Sequence, residues 1–308
     1  MSIIIVHGGI ETGTEAPFLE VLREAALSGY RSLARGHLDA AEEAVKILEK
    51  CPLFNAGYGS VLNLEGEVEM DASIMDGYSG RFGAVAAIDN VAHPVTIARL
   101  VLEETSHVLL AGRGATSFAR VKGFPMVNCI APTMLKAWQK VRDAMGKGAG
   151  TGASPFTGLP AQAIDACDTV GCVVSHRGML AAASSTGGSF LKMPGRVGDT
   201  PLPGGGIFAS RRCAVVCTGL GEAFVETLTA KYVESLVADG LHPQEAAEKA
   251  IIRLTLEKRA AGGMVVVDHQ NRYGVAYNST TFPVALVHDG KIQDNFTPKK
   301  MPRYNTCG

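Results

Sequence analysis

The sequence predicts a mixed α/β protein in which antiparallel sheets are covered by helices and one core is assembled from two halves of the chain. Three observations carry that expectation. Short β-rich runs occur in clusters and helical patterns in pairs, without the regular alternation of a parallel βαβ series. Residues 146–167 lack periodicity and are rich in Gly, Ala, Ser and Pro, the composition of a linker or mobile segment. Directly after them, Thr169-Val-Gly-Cys-Val-Val174 is apolar and β-branched, as a buried strand should be.

Taken in order, Ser2–His7 reads as the first core strand, and Ala16–Arg35 as a helix with Phe18, Val21, Leu22, Ala25 and Leu33 on one stripe. A second helix over Ala40–Lys50 stops at Cys51-Pro52. Turn-rich strands are expected through Gly59-Ser-Val-Leu62, Val68–Met75 and Gly83–Ile88. Helices follow near 94–106 and 133–145, the latter holding the only tryptophan, Trp138. After the linker, strands are expected at 169–175, 179–185 and 213–218, then long helices at about 220–239 and 243–260. Strands at 264–268, 273–278 and 284–288 close the chain. No internal repeat is evident.

Bulk properties narrow the function. A chain of 308 residues, 46% hydrophobic, has length enough for a large core. A formal charge of −1 leaves no electrostatic footprint for nucleic acid or an anionic membrane. No run approaches the ~20 apolar residues of a membrane span, and the N-terminus lacks the basic start of a signal peptide. The seven cysteines (Cys51, Cys129, Cys167, Cys172, Cys213, Cys217 and Cys307) are scattered and odd in number, which fits reduced thiols in a cytoplasmic protein. None has the spacing of a zinc site.

The chemistry is carried by Asp168-Thr-Val-Gly171. A threonine at the mouth of a core strand, just after a loose segment, becomes a nucleophile with its own base if the preceding bond breaks. Its α-amine then titrates near ~7.7–8.0, where a useful fraction is neutral at working pH. Other segments accompany it. Thr186 ends a predicted strand beside Gly187-Gly188, and Arg196 and Asp199 lie three apart in Pro194-Gly-Arg-Val-Gly-Asp199. Cys217-Thr-Gly-Leu-Gly-Glu222 sits at a strand-to-helix junction with outward N–H groups, and Phe54-Asn-Ala-Gly-Tyr-Gly-Ser60 is a Gly-punctuated loop. Singly, each has an ordinary explanation: a strand residue, a surface ion pair, a helix cap or a turn. His7 reads as a satisfied structural histidine. The Gly146–Gly152 stretch and Gly219-Leu-Gly lack the rest of a nucleotide-binding fingerprint.

Together, His7-Gly-Gly9, Phe54–Gly77 with Met70-Asp-Ala-Ser-Ile-Met-Asp-Gly77, Asp168–Gly171, Ser185–Asp199 and Thr218–Glu222 make the sequence resemble the plant-type L-asparaginase/isoaspartyl peptidase family of N-terminal-nucleophile hydrolases. The resemblance implies a four-layer αββα sandwich and self-cleavage between Asp168 and Thr169. An α chain of 1–168 and a β chain of 169–308 would then stay together, with the segment to residue 168 as linker. It further implies Thr169 as nucleophile, Thr186 as its orienting partner, and Thr218 with the Gly219 N–H as the oxyanion hole. By the same resemblance Arg196 binds the substrate α-carboxylate, Asp199 its α-ammonium, Gly219 contributes to substrate binding, and Asn55 braces the nucleophile region. Backbone carbonyls of Leu48, Glu49, Cys51, Phe54, Ala56 and Tyr58 are implied to hold a structural sodium ion, with no organic cofactor required. A homodimer of αβ units acting on L-asparagine and β-aspartyl dipeptides is the implied assembly and activity.

Two departures qualify the match. Asp168 stands where isoaspartyl peptidases of this type usually have Gly and glycosylasparaginases have Asp, and the loop after His7 reads Gly-Gly-Ile-Glu rather than Gly-Gly-Ala-Gly. Glycosylasparaginase activity, and an unprocessed amino-acid-binding relative, are therefore the alternatives. Asp199 disfavours taspase.

Overall fold

The computed structural model describes residues 1–146, 169–294 and 296–303. The predicted linker beyond residue 146, Asp168 and the cleavage junction lie outside the described residues, as do Cys167 and Cys307.

The chain starts with strand β1 (Ser2–His7), helices α1 (Ala16–Ser32) and α2 (His37–Lys50), and strands β2 (Met70–Asp76) and β3 (Phe82–Ile88). Helix α3 (Pro94–Glu104), the short strand β4 (Leu109–Ala111), α4 (Gly112–Val121) and α5 (Pro132–Gly146) complete the first half. The second half runs β5 (Val170–His176), β6 (Met179–Thr186), β7 (Ile207–Ala209), β8 (Cys213–Gly219), α6 (Gly221–Thr227), α7 (Thr229–Ala238) and α8 (Pro243–Lys258). It ends with β9 (Gly262–Asp268), β10 (Tyr273–Tyr277), β11 (Val284–His288), β12 (Lys291–Ile292) and β13 (Lys299–Lys300).

Eight strands form one sheet in the order β12-β11-β1-β5-β6-β2-β3-β4, and five form a second in the order β13-β10-β9-β8-β7. Pairing is antiparallel except for β3 with β4 and β10 with β13. The period-2 alternation of strand side chains explains the layers. On β1, Ile4 and Val6 pack with α1, α2 and α3 residues such as Leu22, Ala44 and Val101, whereas Ile3 and Ile5 face the space between the sheets. There they meet Ala214, Val216, Val265 and Val267 of the second sheet. The opposite face of that sheet, Cys213, Val215, Cys217, Met264 and Val266, packs on α6, α7 and α8 through Phe224, Val233 and Ile251. Helices, sheet, sheet, helices: the chain forms the expected four-layer αββα sandwich, with both halves contributing to the first sheet.

Three local expectations are corrected. Gly59–Leu62 is not a strand; a 3₁₀ turn over Gly57–Gly59 leads into irregular chain. The single helix expected over 220–239 breaks at Leu228, which adopts a left-handed conformation (φ 48°). The break has a tertiary cause. The N–H groups of Ala230 and Lys231 bond the carbonyls of Gly205 and Gly204 at 3.0 Å, and the Thr227 hydroxyl turns back to Ala223 O at 2.7 Å. Helix α4 was not expected, since its sequence opens Gly-Arg-Gly and both glycines depress helix propensity.

Candidate active site

Strand register brings the separated motifs to one end of the sandwich. Thr169 immediately precedes β5, and Val170 pairs with Ser185, so Thr186 at the end of β6 lies beside the head of β5. On the other flank His7, the last residue of β1, pairs with Gly171. Strand β8 of the facing sheet ends at Thr218-Gly219, and the Thr218 hydroxyl accepts a hydrogen bond from the Thr169 N–H at 3.2 Å. All three threonines are buried.

Thr169, Thr186, Gly188, Ser189, Arg196, Gly198, Asp199 and Gly219 line one cavity. The Thr186 hydroxyl accepts the Gly188 N–H at 2.9 Å. Asn55 reaches across from the 54–60 loop: its Nδ2 donates to Gly188 O at 2.7 Å, and its Oδ1 accepts the Val61 N–H at 2.9 Å. The Gly187 N–H also bonds the Asn55 carbonyl at 3.0 Å. One side chain thereby staples two loops. Gly219 has φ +138°, and a Cβ there would collide with the Ala261 carbonyl. Only glycine fits where the two strand ends and the cavity meet.

Arg196 and Asp199 do not form the surface ion pair that is the ordinary reading of their spacing. Arg196 Nε and Nη2 each donate to a Glu222 carboxylate oxygen at 2.9 Å, a bidentate pair formed across to α6. Burial works to raise the Glu222 carboxyl, but the bonds from Arg196 prevail and hold it below the usual range. Asp199 is 3% exposed, and its Oδ2 has no hydrogen-bond partner among the described residues. Burial pushes its pKa up to about 7, against the lowering pull of a backbone hydrogen bond and of Arg196. A buried carboxylate oxygen lacking a partner, on the wall of a cavity, is poised to receive a cation.

His7 is fully buried and packs at 5.4 Å against the Phe282 ring. Burial lowers its pKa to about 3, opposed by the nearby Thr169 backbone, so the imidazole is neutral at working pH. The expectation of a satisfied histidine is corrected: neither ring nitrogen has a well-formed hydrogen bond among the described residues. Asp71, Lys192, Ser189 and Glu222 were not singled out from the sequence. The available signal was charge in otherwise apolar or glycine-rich runs: Asp71 at the head of β2, and Lys192 within Phe190-Leu-Lys-Met193.

The loop over 48–58 turns its backbone inward. Leu48 O, Cys51 O, Phe54 O and Ala56 O accept the N–H groups of Cys51, Phe54, Ala56 and Gly59 in turn, leaving a second lone pair on each oxygen. A Cβ on Gly57 would collide with Glu49 O, and one on Gly59 with Phe54 O. Carbonyls therefore crowd around the two glycines, while the buried Glu49 carboxylate points elsewhere, to the Val95 N–H at 3.0 Å and His93. Among the described residues no group of three or more His, Cys, Asp or Glu side chains is placed to hold a metal, and no helix is long and apolar enough to cross a membrane.

Comparison with known proteins adds independent findings. A family model described as Asparaginase matches residues 1–297. The plant-type L-asparaginase of Pyrococcus abyssi is 41% identical, the alignment covering 94% of this chain and 97% of that protein. The isoaspartyl peptidase of Salmonella typhimurium is 38% identical, covering 90% of this chain and 92% of that protein. The mouse isoaspartyl peptidase/L-asparaginase is 39% identical, covering 94% and 89%.

Proposed function

Because this chain belongs to the asparaginase family of hydrolases, we propose that it is a self-processing amidohydrolase cleaving L-asparagine and β-aspartyl dipeptides through Thr169. The observation that carries this reading is one cavity holding both a strand-head threonine and a buried carboxylate whose Oδ2 has no hydrogen-bond partner among the described residues. Thr169, with its N–H on Thr218 Oγ1, lines that cavity together with Asp199.

In the proposed maturation, Thr169 Oγ attacks the Asp168 carbonyl. The amide shifts to an ester, and water releases Asp168 as a carboxylate and Thr169 as a free amine. That amine, held by Thr218 Oγ1, takes the Oγ proton as Oγ attacks the side-chain carbonyl of the substrate. The Thr218 hydroxyl and the Gly219 N–H receive the developing oxyanion. Collapse transfers the proton to the leaving ammonia or α-amine, and water hydrolyses the acyl-enzyme. Arg196 takes the substrate α-carboxylate and Asp199 the α-ammonium, which selects a free aspartyl head group. Thr186 orients Oγ, and Gly219 closes the pocket around the substrate. The carbonyls of Glu49, Cys51 and Phe54, with Leu48, Ala56 and Tyr58, suit a hard monovalent cation such as sodium, which would stiffen the loop carrying Asn55. A homodimer of αβ units in the cytoplasm completes the reading.

Intact mass under denaturing conditions tests it directly. Two fragments are expected, the second beginning at Thr169, and Thr169→Ala should leave one chain with activity reduced about 10⁶-fold, the scale for losing a hydrolase nucleophile. An uncut wild-type chain would sink the proposal. Asp168 gives a second reading some support, since Asp-Thr is also the glycosylasparaginase junction; faster turnover of an aspartyl-glucosamine than of a β-aspartyl dipeptide would favour it.

A further inference from the structure

Behind the substrate loop lie two buried charged side chains, Asp71 and Lys192, that the reaction as described does not use and that form no direct ion pair among the described residues. Asp71, on β2, is fully buried and pairs in register with Thr186. Its Oδ1 accepts the Ala87 N–H at 2.8 Å, and its Oδ2 accepts the Gly198 N–H at 3.1 Å. Gly198 is the residue before Asp199, so this carboxylate holds the substrate loop from below through its backbone. Lys192 is 5% exposed, and its Nζ donates to Glu69 O at 2.7 Å. The Glu69 carboxylate in turn accepts the Gly195 N–H at 2.9 and 3.0 Å. Lys192 and Arg196 flank the same cavity-lining glycine. A Cβ on Gly188 would lie 2.9 Å from Lys192 Nζ and 3.4 Å from Arg196 Nη1.

Burying an ion is costly unless an opposite charge and hydrogen bonds compensate it. Burial raises Asp71 above the usual carboxylate range, opposed first by Lys192 and then by its two backbone bonds. Burial likewise lowers Lys192, opposed by Asp71 and Glu69, while Arg196 adds to the lowering. The two groups thus work against each other's burial without touching: Lys192 is anchored on the carbonyl of Glu69, two residues before Asp71. Protonation of Asp71 would convert one of its oxygens to a hydroxyl, a poor acceptor for a backbone N–H. Either Ala87 or Gly198 would then lose its partner, and the loop carrying Arg196 and Asp199 would loosen.

We propose that Lys192 and Asp71 are a positioning pair: the Lys192 ammonium keeps Asp71 ionised, and ionised Asp71 holds the Gly198 N–H so that Arg196 and Asp199 meet the α-amino-acid end of the substrate. This rests on the reading of Arg196 and Asp199 given above. The charged groups facing the pair are Arg196 and Asp199 from the loop, Glu69 preceding β2, and, through Arg196, Glu222 of α6. Neither Lys192 nor Asp71 acts on the bond being broken.

The test compares wild type with Lys192→Met, Asp71→Asn, the double variant and Asp199→Asn, measuring kcat and KM for a β-aspartyl dipeptide from pH 6 to 9. Formation of the fragment beginning at Thr169 is followed by mass. Lys192→Met should mature but show a KM raised about ten-fold or more at pH 7, with a smaller change in kcat. That deficit should shrink as pH rises, because Asp71 ionises without its partner only in less acidic solution. Asp71→Asn should raise KM with no such recovery, and the double variant should be no worse than either single one. A wild-type KM in Lys192→Met at every pH, with a raised KM in Asp199→Asn, overturns the pair. If Lys192→Met does not fold, an unchanged KM in Asp71→Asn overturns it instead. An unchanged KM in Asp199→Asn overturns the substrate reading beneath it.

Discussion

The two ends of the cleft are built from opposite materials. Around Thr169 the groups are neutral: the hydroxyls of Thr186 and Thr218, backbone N–H groups, and an imidazole that stays uncharged because burial lowers it to about 3. Around Asp199 they are charged: Arg196, Lys192 and Asp71 are largely withdrawn from water, and Glu222 pairs with Arg196 from the exposed rim. Neutral hydroxyls can be buried cheaply once hydrogen-bonded, so the nucleophile end can be complete before any base exists. On the proposed mechanism the base arises only when the bond before Thr169 breaks. The Asp199 end is assembled at a cost to stability, which a charged substrate would relieve on the proposed reading. A substitution at the first end should therefore change rate, and one at the second should change affinity, stability and their dependence on pH.

The largest separation should come from Thr218→Val, which keeps the shape but removes the hydroxyl that holds the Thr169 nitrogen. Loss of an oxyanion-type donor costs about 10²–10³ in kcat, and KM should change little because no charge is touched. Steady-state kinetics on processed enzyme measures both. A KM effect exceeding the kcat effect would mean that the two ends are not separable.

Asp199→Asn should do the reverse, and its pH signature gives the sharper contrast. The folded-state pKa of Asp199 is raised from 3.8 to about 7. Below the unfolded value both states are protonated, and the stability associated with the neutral form is fully present. It is lost as pH rises through about 7, because the folded chain must then bury a charge that the unfolded chain leaves in water. The penalty at pH 8 is at most about 4 kcal/mol on the scale of one pKa unit per 1.36 kcal/mol. The asparagine variant lacks it, so denaturant melts should show it more stable than wild type at pH 8 and converging on wild type toward pH 4. Its KM should nevertheless rise sharply, and wild-type KM should rise as pH falls below about 7. A variant destabilised at pH 8 would show that Asp199 has a cation partner already.

What the sequence made legible follows the same division. The alternation Ile3-Ile-Ile-Val6, with its neighbours on both faces, requires a strand buried between two layers, and the β-branched run after Thr169 requires another. Periodicity reports burial, so sheets covered by helices and the mouth of β5 were readable from it, while the four-layer order followed from the family resemblance. Long-range partners were not. The break at Leu228 is made by carbonyls of Gly204 and Gly205, more than twenty residues earlier, and no local propensity announces it. Arg196 and Asp199 invite each other at three residues apart, yet the loop turns Arg196 toward Glu222 and buries Asp199, whose Oδ2 has no hydrogen-bond partner among the described residues. The hydrogen-bonding needs of a buried charge are met in three dimensions, and a one-dimensional pattern does not record them. For the same reason Asp71 and Lys192, 121 positions apart in sequence, gave only the faint signal of a charge in an apolar run.

The smallest effect, and the finest test of the division, concerns Glu222. Its carboxylate occupies the Nε and Nη2 edge of Arg196, the geometry a substrate α-carboxylate would want, yet Glu222 is 55% exposed along its side chain and Arg196 only 17%. An ion pair with one solvated partner contributes little, about 0–1 kcal/mol, so Glu222→Ala should leave the melting midpoint nearly unchanged. Competition for Arg196 is a different quantity. Without Glu222 the Nε and Nη2 edge of Arg196 no longer carries that competing carboxylate, and KM should fall by up to about five-fold, the factor equivalent to that same pair energy, with kcat unaltered. Raising salt should lower wild-type KM in the same direction by screening the pair, and should do so less in the variant. A higher KM in Glu222→Ala would assign the residue the contrary role. It would then hold Arg196 in place for the substrate, and the recognition end would depend on its exposed rim as much as on its buried charges.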